Sequence, residues 1–217
     1  MVALQKMTTS QSTENDMMIS RLTKAELDWA ADFLTAVFLA DTPITKLFFP
    51  PDIERKLRYF MRCNCALALN TGECYATAAR DGLSLWLPPG KSSMSIPDMW
   101  RAGMFWAPVE YGLRGTVKVI GFAHHIEVMH KRLAPMPHYY LFLTAVDRMQ
   151  QRQGISTVLL GNMLERIDAE QMPIYLETQS AGNVEVYQKL GFDMVGKRAF
   201  PLAPDVFNWG MLRQPKR

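Results

Sequence analysis

The spacing of apolar residues in the first half of the chain predicts two helices and then a β-hairpin. Apolar residues recur at helical spacing in two segments, at Leu27, Ala30, Leu34 and Phe38 and again at Ile53, Leu57, Phe60 and Met61. Thr23 and Glu26 have the spacing of a capping box and predict the start of the first helix, after a short strand near residues 18–22. The strand-like runs "ECYATAA" and "LSLWLPPG", joined by "RDG", predict a hairpin that turns at Asp81 and Gly82.

The second half changes from a helical pattern to an alternation of strands and helices. Residues 97–133 predict an aromatic helical insertion, with breaks near Pro108, Gly112, Gly115 and Gly121. From residue 138 a strand "HYYLFLTAV", a turn, a helix "ISTVLLGNMLERIDAEQ" and a strand "IYLETQ" follow, which predicts a parallel pair of strands. A short helix "VEVYQKL" should end at a left-handed Gly191, before two last strands near residues 193–198 and 206–212.

These elements predict an α+β fold, in which helices flank a central mixed sheet that is mostly antiparallel and has one parallel strand pair. We expect a flexible tail over residues 1–16 and one domain over residues 17–217, with the helical insertion at about 97–133. The composition is that of an ordinary globular protein, with 48% hydrophobic and 21% charged residues. No apolar run reaches the roughly 18 residues of a membrane span, and no secretory signal is evident, so we expect a cytoplasmic protein that does not bind membranes.

Charge and cysteine content limit the function further. A net charge of +3 suits a small anionic ligand and is too low to indicate nucleic acid. Cys63, Cys65 and Cys74 lack the spacing of a zinc site, so we expect reduced, partly buried thiols. The stretch "HHIEVMH" resembles a metalloprotease helix, but Ile126 occupies the position of the first histidine. His125 and His130 are five residues apart, so we expect a solvated or substrate-facing helix surface and no metal.

The polar turn "QQRQGIST", residues 150–157, joins a strand to a helix through the single glycine Gly154. Backbone N–H groups at a helix N-terminus bind phosphate groups, and glycine allows the close approach of the ligand. No lysine follows Gly154 as in a Walker A loop, and the three glycines of a dinucleotide-binding fingerprint are missing. From these eight residues alone, an ordinary loop is as well supported as a phosphate site.

The stretches "LFLTAVDRMQQRQGISTVLL" and "IYLETQSAGNVEVYQKLGF" resemble the GCN5-related N-acetyltransferase (GNAT) superfamily. The likeness is greatest to its small-molecule acetyltransferases, puromycin N-acetyltransferase among them, and is specific over about residues 138–200. The matching positions are Gln151 and Gly154, Leu176-Glu177-Thr178, Asn183 and Tyr187, and Leu190-Gly191-Phe192. The resemblance implies a GNAT domain that binds acetyl-CoA and transfers its acetyl group directly to the amine of a small molecule.

The resemblance also implies which residues contact the cosubstrate. The end of the strand at Ala145 and Val146 would align the pantetheine arm, and the turn would hold the pyrophosphate. The turn residues assigned to acetyl-CoA are Gln151, Arg152, Gln153, Gly154, Ile155, Ser156 and Thr157. Ser156 stands where the family carries glycine or alanine, and its hydroxyl is small enough to hydrogen-bond a phosphate oxygen.

Two residues are candidates for proton transfer. Tyr187 matches the family's general acid, although a tyrosine that only packs in the core would give the same pattern. Asn183 lies one helical turn earlier and is expected to cap the helix, to contact the cosubstrate, or both. Glu177 is a candidate general base whose pKa burial would raise; a solvated or structural carboxylate is the alternative. His138 and Tyr140 are weaker candidates.

Two other classes of function remain open from the sequence. The chain could be a CoA-binding sensor or structural module without catalysis, although retention of both Asn183 and Tyr187 favours an enzyme. The basic C-terminal stretch "RQPKR" raises a nucleic-acid-binding domain as a weaker alternative. The sequence identifies neither the acceptor amine nor the oligomeric state, with a homodimer among the options.

Overall fold

The computed structural model of the chain describes residues 18–40, 45, 51–92, 95–201 and 203–216. The tail expected at residues 1–16 lies outside the described residues, as does most of the proline-containing segment after the first helix. Among these residues, 3₁₀ turns occur at Lys24–Glu26, Met104–Trp106 and Arg148–Gln150, besides the single residue 45. The strands are β1 (Ile19–Arg21), β2 (Glu73–Thr77), β3 (Gly82–Leu87), β4 (Tyr139–Val146), β5 (Ile174–Thr178), β6 (Asp193–Phe200) and β7 (Ala203–Arg213). The helices are α1 (Leu27–Leu39), α2 (Ile53–Thr71), α3 (Ile96–Arg101), α4 (Ala107–Leu133), α5 (Ile155–Ala169) and α6 (Ala181–Lys189).

Within the described residues, the seven strands form one sheet in the order β1-β2-β3-β4-β5-β7-β6. Every neighbouring pair is antiparallel except β4 and β5, which are parallel and are joined through α5. This confirms the predicted mixed sheet with one parallel pair. The parallel pair places the two strands that carry the matched motifs side by side in the middle of the sheet.

Helices cover both faces of the sheet, so the molecule has three layers. On one face, α1, α2 and α4 bury Leu34, Met61 and Phe122 against the sheet in a core that includes Tyr140 and Tyr175. On the other face, α5 and α6 bury Leu160 and Tyr187. Because side chains alternate along a strand, neighbouring residues of β4 and β5 contribute to different cores.

Two helix ends follow the sequence prediction. The Thr23 amide donates a hydrogen bond of 2.9 Å to the Glu26 carboxylate, which confirms the capping box ahead of α1. After α6, Gly191 has a φ of 88°, and the Phe192 amide donates to the Tyr187 carbonyl at 3.0 Å. A left-handed residue here lets the chain turn back, and Phe192 is buried.

The predicted helix breaks and hairpin turn are correct only in part. The break expected at Gly112 is confirmed, with φ of 68° and ψ of 169°, whereas Gly115 and Gly121 lie inside α4 without interrupting it. In the hairpin, Arg80 takes the left-handed conformation with a φ of 61°, whereas Gly82 begins β3. The Thr77 hydroxyl donates to the Asp81 carboxylate at 2.6 Å, and this contact closes the turn without a glycine at its bend.

The three cysteines are reduced and buried, as predicted. Burial raises the pKa of the Cys63 thiol to about 11 and that of Cys74 to about 12, and it also raises the pKa of Cys65. In the part of the chain that the structure describes, none of the helices combines the length and the apolar character needed to cross a bilayer.

Candidate active site

The parallel strands β4 and β5 pair over only three residues and then separate. The register joins Tyr139 to Ile174 and ends with Leu141 opposite Leu176. Beyond this point β4 continues to Val146 while paired with β3 on its other edge. The backbone edge of β4 after residue 141 therefore faces a gap in the sheet. Ala145 and Val146, assigned to the cosubstrate from the sequence, lie on this edge.

Glu177 lies where the gap begins, directly after the last residue of β5 that pairs with β4. Its side chain is 2% exposed, and its Oε2 accepts a hydrogen bond of 2.5 Å from the Tyr140 hydroxyl. Its Oε1 is buried and forms no well-oriented hydrogen bond among the described residues, although the Tyr175 hydroxyl lies close enough to the carboxyl group to lower its pKa. Burial raises the pKa of this carboxyl from 4.5 to about 8, although hydrogen bonding, chiefly from Tyr140, acts in the opposite direction. The site thus holds a carboxyl group that titrates near neutral pH.

The C-terminal end of α4 packs closely over the sheet at two strand glycines. A Cβ atom at Gly196 would lie 2.7 Å from the Leu133 side chain, and one at Gly210 would lie 2.6 Å from it. Gly210 pairs with Glu177 across β5 and β7. Glycines at these positions allow the helix to approach the strands, and this approach brings His130, one turn before Leu133, over the site.

His130 and His138 form a buried pair beside the carboxyl group. Their Nε2 atoms are 2.6 Å apart, and Nδ1 of His138 lies 2.6 Å from the Met136 carbonyl oxygen. On the other side, Nδ1 of His130 lies 3.9 Å from Oε1 of Glu177. The His130 ring also stacks on Tyr175, with centroids 4.4 Å apart. Burial first, and then His138 and Lys131, lower the pKa of His130 to about 3, and burial also lowers that of His138.

The turn before α5 presents its backbone at the carboxyl end of β4. Gly154 has a φ of 83° and precedes the helix, and a Cβ atom there would meet nothing within 4 Å. The amides of Thr157 and Val158 both donate hydrogen bonds to the Gly154 carbonyl, at 2.9 and 3.2 Å. Arg152 is exposed and also left-handed, with a φ of 66°. The N–H groups at the start of a helix have no hydrogen-bond partner within the helix, and they are the groups that bind anions there.

The helix is held in this place by a close contact with the hairpin. A Cβ atom at Gly82 would lie 3.1 Å from the Ile155 side chain and 3.3 Å from that of Leu159. Gly82 is also paired with Val146 at the end of β4. The first turn of α5 therefore sits against the strand ends at the gap, and Gln151 reinforces it through a 3.3 Å hydrogen bond to the Val146 carbonyl.

The comparisons with known proteins agree on one family. The sequence profile described as "Acetyltransferase (GNAT) family" matches residues 52–192, which is more than half of the chain. The chain belongs to the GNAT family of acetyltransferases. This confirms the resemblance drawn from the motifs around Gly154 and Tyr187.

Solved structures of low sequence identity share the GNAT fold. A histone acetyltransferase HPA2-related protein of Corynebacterium glutamicum has a TM-score of 0.63 at 19% identity, covering 92% of this chain and 97% of its own. A Drosophila melanogaster polyamine N-acetyltransferase has a TM-score of 0.64 at 14% identity, with 91% and 99% covered. Arylalkylamine N-acetyltransferase 2 of Aedes aegypti has a TM-score of 0.61 at 11% identity, with 92% and 99% covered.

A curated relative matches over a shorter stretch. An uncharacterised N-acetyltransferase of Schizosaccharomyces pombe is 26% identical over 117 residues. The match covers 51% of this chain and 47% of the relative, so the chain spans about half of that protein.

The GNAT fold places Tyr187 and Asn183 on the opposite face of the sheet from Glu177. Tyr187 is buried against Phe192, with ring centroids 5.8 Å apart, and burial raises its pKa. Leu176 lies in the same core as Tyr187, whereas Glu177 points to the α4 side. Tyr187 and Glu177 therefore lie on different faces of the sheet.

The expected capping role of Asn183 is wrong. Ser180 is the N-cap of α6, and Asn183 lies inside its first turn, where Nδ2 is 3.4 Å from the Thr178 hydroxyl. Asn183 is exposed and connects α6 to the end of β5. A contact between its side chain and the cosubstrate stays a prediction.

The position of His130 is the main feature that sequence reasoning missed. The structure brings Tyr140 and His138, both considered weaker candidates, into contact with Glu177 or its neighbours, and adds His130, which was assigned to a solvated or substrate-facing helix surface. A solvated surface is wrong for His125 and His130, which are each 5% exposed. Among the described residues, no group of three or more His, Cys, Asp or Glu side chains is arranged to hold a metal ion. The strand glycines Gly196 and Gly210 were the available signal for a helix in close contact there.

Proposed function

We propose that this protein is an acetyl-CoA-dependent N-acetyltransferase that transfers the acetyl group directly to the amine of a small molecule. The observation that carries the proposal is the position of Glu177. A buried carboxyl group with a pKa near 8 lies at the point where β4 and β5 separate. Such a group is suited to accept a proton from an amine near neutral pH.

The strand end and the helix N-terminus fit the two parts of acetyl-CoA. The unpaired edge of β4 through Ala145 and Val146 can hydrogen-bond an extended pantetheine arm, as a neighbouring strand would. The open space over Gly154 leaves room for the pyrophosphate against the N–H groups of the turn, and Arg152 adds a charge-assisted contact. A backbone N–H of the same strand would stabilise the oxyanion that forms on the thioester carbonyl.

The chemistry requires a C–N bond to form and the C–S bond to break. Glu177 takes protons from the attacking nitrogen, and the Tyr187 hydroxyl donates a proton to the departing sulfur. Because burial raises the pKa of Tyr187, its hydroxyl is protonated at neutral pH, as a general acid must be. Much of the acceleration would come from holding the amine and the thioester in contact.

The acceptor is proposed to be a small primary amine. The protein names of the fold neighbours indicate polyamine and arylalkylamine substrates for those enzymes, and both classes belong in a first panel. The aromatic residues of the helical insertion differ in their burial. Tyr111 and Phe122 are buried in the core, whereas Trp100, Phe105 and Trp106 are exposed and available to contact an aromatic acceptor.

The test is CoA release from acetyl-CoA in the presence of polyamines, arylalkylamines and aminonucleosides. We expect release that depends on one class of amine, and mass spectrometry should identify the matching N-acetyl product. Calorimetric binding of acetyl-CoA without release on any amine would instead identify a CoA-binding module. Absence of both binding and release would reject the proposed function.

A further inference from the structure

We propose that His130 and His138 form a buried proton path that removes a proton from Glu177 between the two proton transfers of each turnover. In this arrangement the histidines do not touch the substrate. They act through Glu177 and are therefore positioning residues. The inference rests on the proposed acetyltransferase function. It adds a route by which protons leave Glu177, the base proposed for that function.

The proton balance of the reaction creates the need for such a path. An amine that arrives as an ammonium ion loses two protons from nitrogen before it becomes an amide N–H. One proton reaches the CoA sulfur from Tyr187, which regains a proton from solvent, so one proton is released overall. If Glu177 accepts both protons from nitrogen, it must lose the first before it takes the second. Its side chain is only 2% exposed, which leaves little direct access to water.

The distances connect the carboxyl group to the surface in three steps. Oε1 of Glu177, which forms no well-oriented hydrogen bond among the described residues, is 3.9 Å from Nδ1 of His130. The other nitrogen of His130 is 2.6 Å from Nε2 of His138, and the far nitrogen of His138 is 2.6 Å from the Met136 carbonyl. His138 is 6% exposed, and Met136, whose carbonyl it faces, is 38% exposed, so solvent lies next to the end of this path.

The Met136 carbonyl, at the end of this path, fixes the direction of every hydrogen bond along it. A carbonyl oxygen only accepts, so Nδ1 of His138 carries a hydrogen. In neutral His138 the Nε2 atom then accepts, and Nε2 of His130 must donate to it. Neutral His130 is left with a lone pair on Nδ1, which faces Oε1 of Glu177. The pair is thus arranged to take a proton from the carboxyl group at one end and to pass another from ring to ring.

The proton comes to rest on His138 as an imidazolium ion. Its Nδ1–H stays hydrogen-bonded to the Met136 carbonyl, a contact that raises the pKa of His138 against the effect of burial. Glu177 becomes a carboxylate again, and His130 returns to its neutral form after the transfer. The imidazolium ion then loses its Nδ1 proton to water near Met136. Both rings are left in the opposite tautomers, so they must rotate back to the starting hydrogen bonds before the pair can take another proton from Glu177.

The first step of the path is uphill, because burial raises the pKa of Glu177 and lowers that of His130. The Glu177–His130 contact must also shorten by about 1 Å to reach hydrogen-bond length.

The groups around the pair are those that would tune its titration. Tyr175 of β5 stacks on His130, and Tyr140 of β4 contacts the ring edge with centroids 4.4 Å apart. Glu177 is the acidic group that faces the pair, and Lys131 of α4 is the cation whose charge acts on His130. Both tyrosines have raised pKa values and stay neutral near neutral pH, so they add no charge beside the pair.

The experiment compares His130→Phe and His138→Ala with His125→Phe. Phenylalanine keeps an aromatic ring against Tyr175 but cannot carry a proton. His125 is the matched control because it lies on the same helix and is equally buried, but it packs against Phe200, away from Glu177. We expect kcat to fall by about 10-fold or more in His130→Phe and His138→Ala, with the KM for acetyl-CoA unchanged. Added imidazole should restore the rate of His138→Ala, whereas His125→Phe should match the wild type.

A second measurement on the wild-type protein does not depend on activity. Nitrogen-15 NMR of labelled histidines should show hydrogen on Nε2 of His130 and on Nδ1 of His138. The opposite tautomers, or folded variants with unchanged kcat and pH profile, would overturn the proton path while leaving the acetyltransferase function intact. If the wild type releases no CoA with any amine, the proposed function fails, and the path fails with it.

Discussion

The Tyr140 hydroxyl lies 2.5 Å from Oε2 of Glu177, and this contact joins the two parallel strands just before they separate. One oxygen of the carboxyl group is therefore held by the protein, while the other forms no well-oriented hydrogen bond among the described residues. The arrangement fixes the direction of Oε1 and keeps it available to take a proton from an amine and to pass that proton to His130.

The activity of the wild type should rise with pH up to about 8. Only the carboxylate form of Glu177 can accept a proton, and its pKa is raised to about 8, so the active fraction increases through neutral pH. Glu177→Gln keeps an oxygen to accept from Tyr140 and removes the ionisation. We expect a loss of kcat of about 100-fold or more at pH 7, and a smaller loss at high pH, where the free amine needs no base. Steady-state rates from pH 6 to 10 test this; an equal loss at every pH would assign Glu177 a structural role.

The same substitution should have the opposite effect on stability. The folded-state pKa of Glu177 is raised, so its contribution to stability is fully present below pH 4.5 and is lost as pH rises through about 8. Glu177→Gln should unfold like the wild type at pH 5 and should be more stable at pH 9, by a free energy on the order of 5 kcal/mol at most. Chemical denaturation at both pH values measures this. Glu185→Gln, on the exposed face of α6, is the control, and a constant difference between Glu177→Gln and wild type would contradict the prediction.

Two glycines of the same segment test the cosubstrate site. Gly154→Ala and Gly161→Ala each add one methyl group that meets no atom within 4 Å, but Gly154 alone of the two has a positive φ. Gly154→Ala should cost about 1 kcal/mol of stability and weaken acetyl-CoA binding, because the methyl group fills the space proposed for pyrophosphate. Gly161→Ala lies inside α5 and should be neutral or stabilising by up to about 1 kcal/mol. Calorimetric titration with acetyl-CoA decides, and equal affinities in the two variants would place the pyrophosphate elsewhere.

Tyr187→Phe separates a proton donor from a packing residue. The ring and its contact with Phe192 are kept, so folding and acetyl-CoA binding should be close to those of the wild type. Loss of the hydroxyl should lower kcat by about 100-fold or more, and less with an acyl donor whose leaving thiol is more acidic. Tyr139→Phe removes a hydroxyl that bonds Glu170 away from the gap and serves as the control. A Tyr187→Phe enzyme as fast as wild type would leave Tyr187 with a packing role alone.

Local sequence signals predicted the parts of this fold that depend on neighbouring residues. The capping box at Thr23, the left-handed Gly191 and the strand-to-helix turn at Gly154 are each specified by a few adjacent positions. The hairpin turn was misplaced because the Thr77–Asp81 hydrogen bond stabilises Arg80 in the left-handed conformation. Arginine has no preference for this conformation, so the residue type does not indicate where the turn lies.

The position of His130 could not be predicted in the same way. Helical spacing shows that His125 and His130 lie on different faces, but which face meets β5 depends on the rotation of α4. That rotation is set by the bend at Gly112 and by the contact of Leu133 with strands some 60 to 80 residues further along the chain. A pair of histidines eight residues apart, one on a helix and one before a strand, becomes visible as a pair only in three dimensions.

The burial of all three cysteines has a practical consequence for every rate measurement suggested above. Thiol-reactive dyes detect free CoA by reaction with a thiolate, and the folded protein offers no accessible thiol at pH 7 to 8, since Cys63, Cys65 and Cys74 are all buried with raised pKa values. The colour that develops should therefore count product molecules alone, even at high enzyme concentration. A cysteine introduced at an exposed position would in turn be the single labelling site on the native protein.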